Sequence, residues 1–106
     1  MVLRAILLAI VCLAAARAAV AQVSLPPRQA RIHHQICATC HARPGIGVPL
    51  VGDELAWAAR RSRGLDALVE STINGVGGMP PLGTCSYCTQ EDLELLVAYL
   101  AGIERR

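Results

Sequence analysis

The chain has no phenylalanine and no lysine, and only one tryptophan and two tyrosines among its 106 residues. So little aromatic volume leaves a small domain short of large core filler. Domains of this size usually need a staple or a bound group; Leu, Val, Ile and Ala packing unaided is the other solution. No segment alternates apolar and polar residues with period two, so sheet classes have no footing. No apolar run reaches the roughly 20 residues of a bilayer-spanning helix. There is no internal repeat, and no low-complexity tract beyond an alanine-rich start. Charge of one sign is also missing once that start is set aside. The remaining 85 residues carry eight arginines against eight acids. A nucleic-acid binder needs clustered excess positive charge, so that class is excluded. The length allows one domain and no conventional two-domain enzyme.

What is present begins with residues 1–21, which hold 19 of the chain's 57 apolar residues. Met1 to Arg4 make a short positive start, and Ala5 to Ala16 an apolar run of 12 residues. Arg17 interrupts it, and Ala19-Val20-Ala21 offers an A-x-A cleavage site before Gln22. This is the layout of a secretory signal peptide; an uncleaved anchor is the other reading. Cys12 follows Val11 rather than a small residue, so it is not a lipoprotein acylation site and leaves with the leader. The expected organisation is residues 1–21 as a cleaved leader and 22–106 as one exported, periplasmic domain. Export places the other four cysteines in an oxidising compartment.

Four helical segments stand out between Gly/Pro breaks. The first opens after Pro26-Pro27, where proline suits the initial turn. Ile32, Ile36 and Cys40 recur at i+4 along one face of it. Residues 41–49 hold two prolines and two glycines and cannot continue a helix. A second helix begins near Asp53, turns Leu55, Ala58 and Ala59 inward, and stops near Gly64. The third runs from about Leu65 to Asn74 with Leu65, Leu68, Val69, Thr72 and Ile73 as its stripe and Gly75 as C-cap. Residues 75–83, rich in Gly and Pro, make no regular element. Thr89 has the character of an N-cap, with Glu91 and Asp92 in the first turn. Leu93, Leu96, Val97 and Leu100 then follow at helical spacing. The class is all-α.

Cys37-Ala38-Thr39-Cys40-His41 is a C-x-x-C-H sequence, the haem attachment pattern. Thiols three residues apart lie about one helical turn from each other and can reach two vinyl groups of one porphyrin. The histidine next in sequence can then serve as the proximal iron ligand. The alternatives fit worse. As half of a four-cysteine zinc site with Cys85 and Cys88, the gap of 45 positions from Cys40 to Cys85 is long beside a zinc ribbon. As a thioredoxin-like pair, the motif lacks a βαβ setting. Met79 lies 38 residues after His41 and is the only methionine outside the leader. A lone Met is usually core filler, but this one sits among glycines and before Pro80-Pro81. Pro80 pushes it toward extended backbone, which suits a stiff loop presenting a thioether as sixth ligand.

With these residues in place the chain resembles the small bacterial class I cytochromes c of the cytochrome c-five type. Beyond the haem motif, four stretches carry the likeness: Pro49-Leu50-Val51-Gly52-Asp53, Ala56-Trp57-Ala58-Ala59-Arg60, Asn74 to Pro81, and Gly83-Thr84-Cys85 with Cys88 and the acidic helix after it. The resemblance implies the class I cytochrome c fold, about four short helices around one covalent haem c, with first and last helices crossing at one haem edge. It implies His41 and Met79 as axial ligands and single-electron transfer as the task. It also implies a Cys85–Cys88 disulfide, which two close thiols in an oxidising compartment favour; a free dithiol or a redox-active pair is the other reading. Pro49 is implied to offer its backbone carbonyl to the free ring nitrogen of His41. Trp57 and Arg60, three apart, are either donors to a haem propionate or a core Trp beside a solvated Arg. Arg61 and Arg63 read as surface charge, and Tyr99 as a packing residue against the first helix. His33 stands where these relatives often carry an aromatic ring. With His34 it shares the helix of the attachment motif, so neither is expected to ligate iron.

The expected function is a non-enzymatic periplasmic electron carrier. Its expected partners are redox proteins: a membrane quinol-oxidising complex, a terminal oxidase or a reductase, met in brief encounters. A haem enzyme or gas sensor with an open distal site is the alternative, and a structural zinc module a further one.

Overall fold

The computed structural model describes residues 24–105 and Val2. The leader reading, with Cys12 and the cleavage point, lies outside the described residues. Pro27–Ile32 forms α1, with Pro27 in the first helical turn as its fixed φ allows. The helix continues as a π-helical stretch, His33–Cys37, and as α2, Ala38–His41. Helix α3 spans Glu54–Arg61, α4 Leu65–Asn74 and α5 Gln90–Ala101. Among the described residues no strand forms; the one β pairing is an isolated antiparallel bridge between Val76 and Met79. No helix of the described residues is long and apolar enough to cross a membrane.

The start signals act as their chemistry requires. The Asp53 carboxylate accepts from the Ala56 N–H at 3.2 Å and opens α3. Thr89 and Asp92 form a reciprocal capping box: Thr89 Oγ1 accepts from Asp92 N–H at 3.1 Å, and Asp92 Oδ2 from Thr89 N–H at 3.0 Å. Gly75, with φ +81°, ends α4 where a left-handed residue is needed.

Two apolar clusters form the core. Trp57, Leu68, Val69, Leu93, Val97, Leu100 and Ala101 join α3, α4 and α5. Ile32, Cys85 and Leu96 form the second, joining α1, the turn before α5, and α5 itself. Cys37 and Cys88 pack against both. The first and last helices are also tied by charge. Arg28 donates to Asp92 through Nε at 3.0 Å and Nη2 at 2.8 Å, and Gln29 Nε2 donates to the same carboxylate at 2.8 Å. Asp92 is only 2% exposed. Arg28 first, then the Thr89 N–H, hold its carboxyl well below the usual carboxylate range. Tyr99 meets His33 edge to face with ring centroids 5.1 Å apart, so His33 fills the aromatic place on the first helix.

Five expectations need correction. Ile73, expected on the inward stripe of α4, is exposed at the end of that helix. Leu55 is 88% exposed, and Ala58 and Ala59 are exposed as well. The inward residue of α3 is Trp57, and the helix is rotated to suit it. Arg61 is more than surface charge: its Nη1 donates to the Ala101 carbonyl at 3.0 Å, capping the C-terminal end of α5, while Nη2 pairs with Glu54. The i+4 stripe of the first helix fails at Cys40, which is exposed while Ile32 is buried. Each extra residue in a π turn rotates the downstream residues by about 100°, which brings Cys37 inward and turns Cys40 out. Finally, residues 75–83 are not wholly irregular, since Pro81–Thr84 closes a short 3-10 turn.

Candidate functional site

The attachment motif occupies the end of the first helix. Cys37 and Cys40 are both free thiols; Cys37 is half-buried and burial pushes its thiol up, whereas Cys40 is exposed. Beyond His41 the chain folds back on the ring. Three consecutive residues hold this return: the Pro49 carbonyl lies 2.7 Å from His41 Nδ1, the Leu50 carbonyl accepts from Trp57 Nε1 at 2.8 Å, and the Val51 N–H donates to the His41 carbonyl at 2.8 Å. A carbonyl can only accept, so Nδ1 carries the proton and Nε2 keeps its lone pair. His41 is 8% exposed, and the Trp57 ring sits 6.0 Å from it, centroid to centroid. The imidazole is thereby fixed in tautomer and orientation, as a metal-ligating histidine requires.

Met79 lies on the loop between α4 and the 3-10 turn. Its N–H donates to the Val76 carbonyl at 2.9 Å and its carbonyl accepts from Val76 N–H at 3.1 Å, closing a turn through Gly77-Gly78. Pro80 is extended, with ψ 158°. Gly75 is packed so closely that a Cβ there would lie 2.9 Å from the Met79 carbonyl oxygen and 3.0 Å from Pro81 N. Met79 itself is half-buried. Cys85 and Cys88 are joined as a disulfide with Cα atoms 5.4 Å apart, Cys85 in the core.

The structure thus gathers Cys37, Cys40, His41, Pro49 and Trp57 around one helix end. Arg60 is exposed, and its Nη1 donates to the Ala56 carbonyl of its own helix. The Trp57 N–H is committed to Leu50, because the loop carbonyl needs a donor. Leu50, the middle member of the return loop, and Gly75 were not among the expected site residues; their signals were the stretches of family likeness that contain them.

Residues 25–100 match the family described as "Cytochrome C oxidase, cbb3-type, subunit III". The chain is 35% identical to cytochrome c5 of Ectopseudomonas mendocina over 63% of its own length and 79% of that protein. It is 35% identical to cytochrome c5 of Azotobacter vinelandii over 63% of its length and 83% of the relative. It is a small class I c-type cytochrome. Cytochrome c-555 of Chlorobaculum tepidum is 40% identical to it over 62% of this chain and 65% of the other. A solved structure titled "Crystal structure of electron transfer complex of nitrite reductase with cytochrome c" superposes with a TM-score of 0.66 at 33% identity, covering 74% of this chain and 96% of that one. The cytochrome therefore has the class I cytochrome c fold, carries a covalently bound c-type haem with its iron, and is an electron carrier. Its residues fit that group: two unpaired thiols on one helix and, next to them, a buried imidazole with its outer nitrogen committed and its inner one open.

Proposed function

We propose that this cytochrome is a periplasmic single-electron carrier, not an enzyme, with His41 and Met79 as axial ligands and Cys37 and Cys40 as the thioether residues. Haem iron so ligated supplies one-electron exchange without bond breaking, at a potential raised by the thioether. The chain's own part is to hold geometry constant. Pro49 keeps the His41 ring from turning, the Gly/Pro loop limits the freedom of Met79, and Trp57 contributes its face rather than its N–H. Arg60 keeps guanidinium N–H groups that can serve a propionate. One observation carries the reading: an imidazole pinned at Nδ1 by Pro49, directly after two free thiols of one helix.

The near-neutral domain argues against strong charge steering, so encounters with redox partners are expected to be short and small in area. Those partners are a membrane quinol-oxidising complex, a terminal oxidase or a reductase, and the nitrite reductase paired with the structural relative belongs to the last class. A second reading, a haem domain resident in an oxidase assembly, is favoured by the family description alone. Recovery of the haem-bearing chain as a lone polypeptide from a periplasmic extract supports the carrier, and recovery only within an oxidase supports the other. An absorption spectrum tests the ligands. The carrier predicts a low-spin ferric spectrum with a weak band at the red end that Met79→Ala abolishes. A high-spin ferric spectrum in the unaltered protein contradicts it and points to an open distal site.

A further inference from the structure

The backbone of Met79 is held on several sides, by Val76, by the close approach of Gly75, and by Pro80. Its side chain still has rotatable bonds, and the feature that limits it comes from downstream. Leu82, Gly83 and Thr84 have φ of 60°, 56° and 70° in succession. Three consecutive left-handed residues, two of them not glycine, are rarely adopted by L-amino acids. The run is fastened at both ends. Gly83 N–H donates to the Pro80 carbonyl at 3.0 Å, Cys85 N–H to the Leu82 carbonyl at 3.0 Å, and the buried Cys85 is bonded to Cys88. Its result is that Gly83 meets the end of the Met79 side chain: a Cβ at Gly83 would lie 3.3 Å from the Met79 methyl carbon Cε and near nothing else.

We infer that Gly83 is the positioning residue for the Met79 thioether: the left-handed run brings a Cα without a side chain against the methyl group, fixing where the sulfur points. This rests on Met79 being the sixth ligand. Adding a Cβ at Gly83 pushes the methyl away and strains the bond from sulfur to iron, while His41 and the attachment are untouched.

The test compares Gly83→Ala with Gly102→Ala in the haem-bearing protein. Gly102 is also left-handed (φ 69°, ψ 36°), and a Cβ there meets only the Arg61 Nη1 at 3.5 Å. Both variants carry the same kind of backbone penalty and lower the thermal midpoint alike. Only Gly83→Ala loses intensity in the weak red band of the ferric protein. Only it binds added imidazole at the iron more tightly, by about three- to tenfold, the effect of a side chain forced off its rotamer. Should Gly83→Ala not yield holoprotein, Gly83→Asn places the same Cβ on a residue that tolerates left-handed backbone and must give the same two changes. A red band and imidazole affinity unchanged in these variants overturn the inference. An unaltered protein without the band brings down the Met79 reading and this inference with it, which keeps the two failures apart.

Discussion

The cytochrome contains two C-x-x-C segments with the same spacing and opposite fates. Cys37 and Cys40 ride on helical backbone, one half-buried and one exposed, and do not pair with each other. Cys85 and Cys88 flank a turn in which the Cys88 N–H donates to the Cys85 carbonyl at 3.2 Å, and they close into a disulfide. Sequence spacing is identical, so the backbone decides. In the first segment the π-helical stretch turns Cys37 toward the core and Cys40 toward solvent, leaving both thiols for another group. In the second, the turn folds the chain back so that the sulfurs meet each other. The two segments also touch the same packing, since Cys37 and Cys88 both lie against Ile32, Cys85 and Leu96. The closed pair thus buttresses the helix that carries the open pair.

Breaking the open pair has the largest expected effect. Cys37→Ala combined with Cys40→Ala abolishes covalent haem, read as loss of visible absorbance in the denatured chain after solvent extraction of free haem. Removing the shared support comes next. Leu96, 2% exposed, touches both segments' neighbours, and Leu96→Ala is expected to cost about 2–5 kcal/mol in denaturant unfolding with haem still attached. Opening the closed pair by Cys85→Ala with Cys88→Ala is expected to cost about 2 kcal/mol, the loop-entropy value for so short a ring, while haem content stays the same. If that variant instead loses haem, the division of labour between the segments is wrong.

A further, pH-dependent effect lies in the pairing of the first and last helices. The carboxyl of Asp92 is held below its usual range in the folded state, so it contributes stability that is fully present above the unfolded value near 4 and is lost as pH falls further. Asp92→Asn should therefore lower stability at neutral pH and flatten the acid limb below about pH 4 relative to the unaltered chain. Denaturant unfolding at several pH values checks both signs.

The legible parts of this molecule are those where one local rule acts alone. Helix α4 occupies Leu65–Asn74 and ends at Gly75 as predicted, with Leu68, Val69 and Thr72 of its stripe buried and Ile73 exposed; Thr89 caps α5, and Leu93, Leu96, Val97 and Leu100 are all buried. The C-x-x-C-H motif carried most of the site, because the order of its residues is itself the chemistry. Features that depend on distant partners were not legible. The Arg28–Asp92 pair joins positions 64 apart, and Arg61 reaches the Ala101 carbonyl 40 positions away. Leu55 faces outward because the indole bond to Leu50 sets the rotation of α3, which periodicity within α3 cannot reveal. The π-helical stretch and the left-handed run at Leu82–Thr84 have no composition signal, since His33–Cys37 and two of those three residues are ordinary for other conformations.

The account is tested most directly by mass analysis of proteolytic peptides from the holoprotein, prepared without reductant. It predicts one haem mass on the peptide containing Cys37, Cys40 and His41, and a loss of two hydrogens on the peptide containing Cys85 and Cys88. Unmodified thiols at Cys37 and Cys40, or haem on the Cys85–Cys88 peptide, would contradict it.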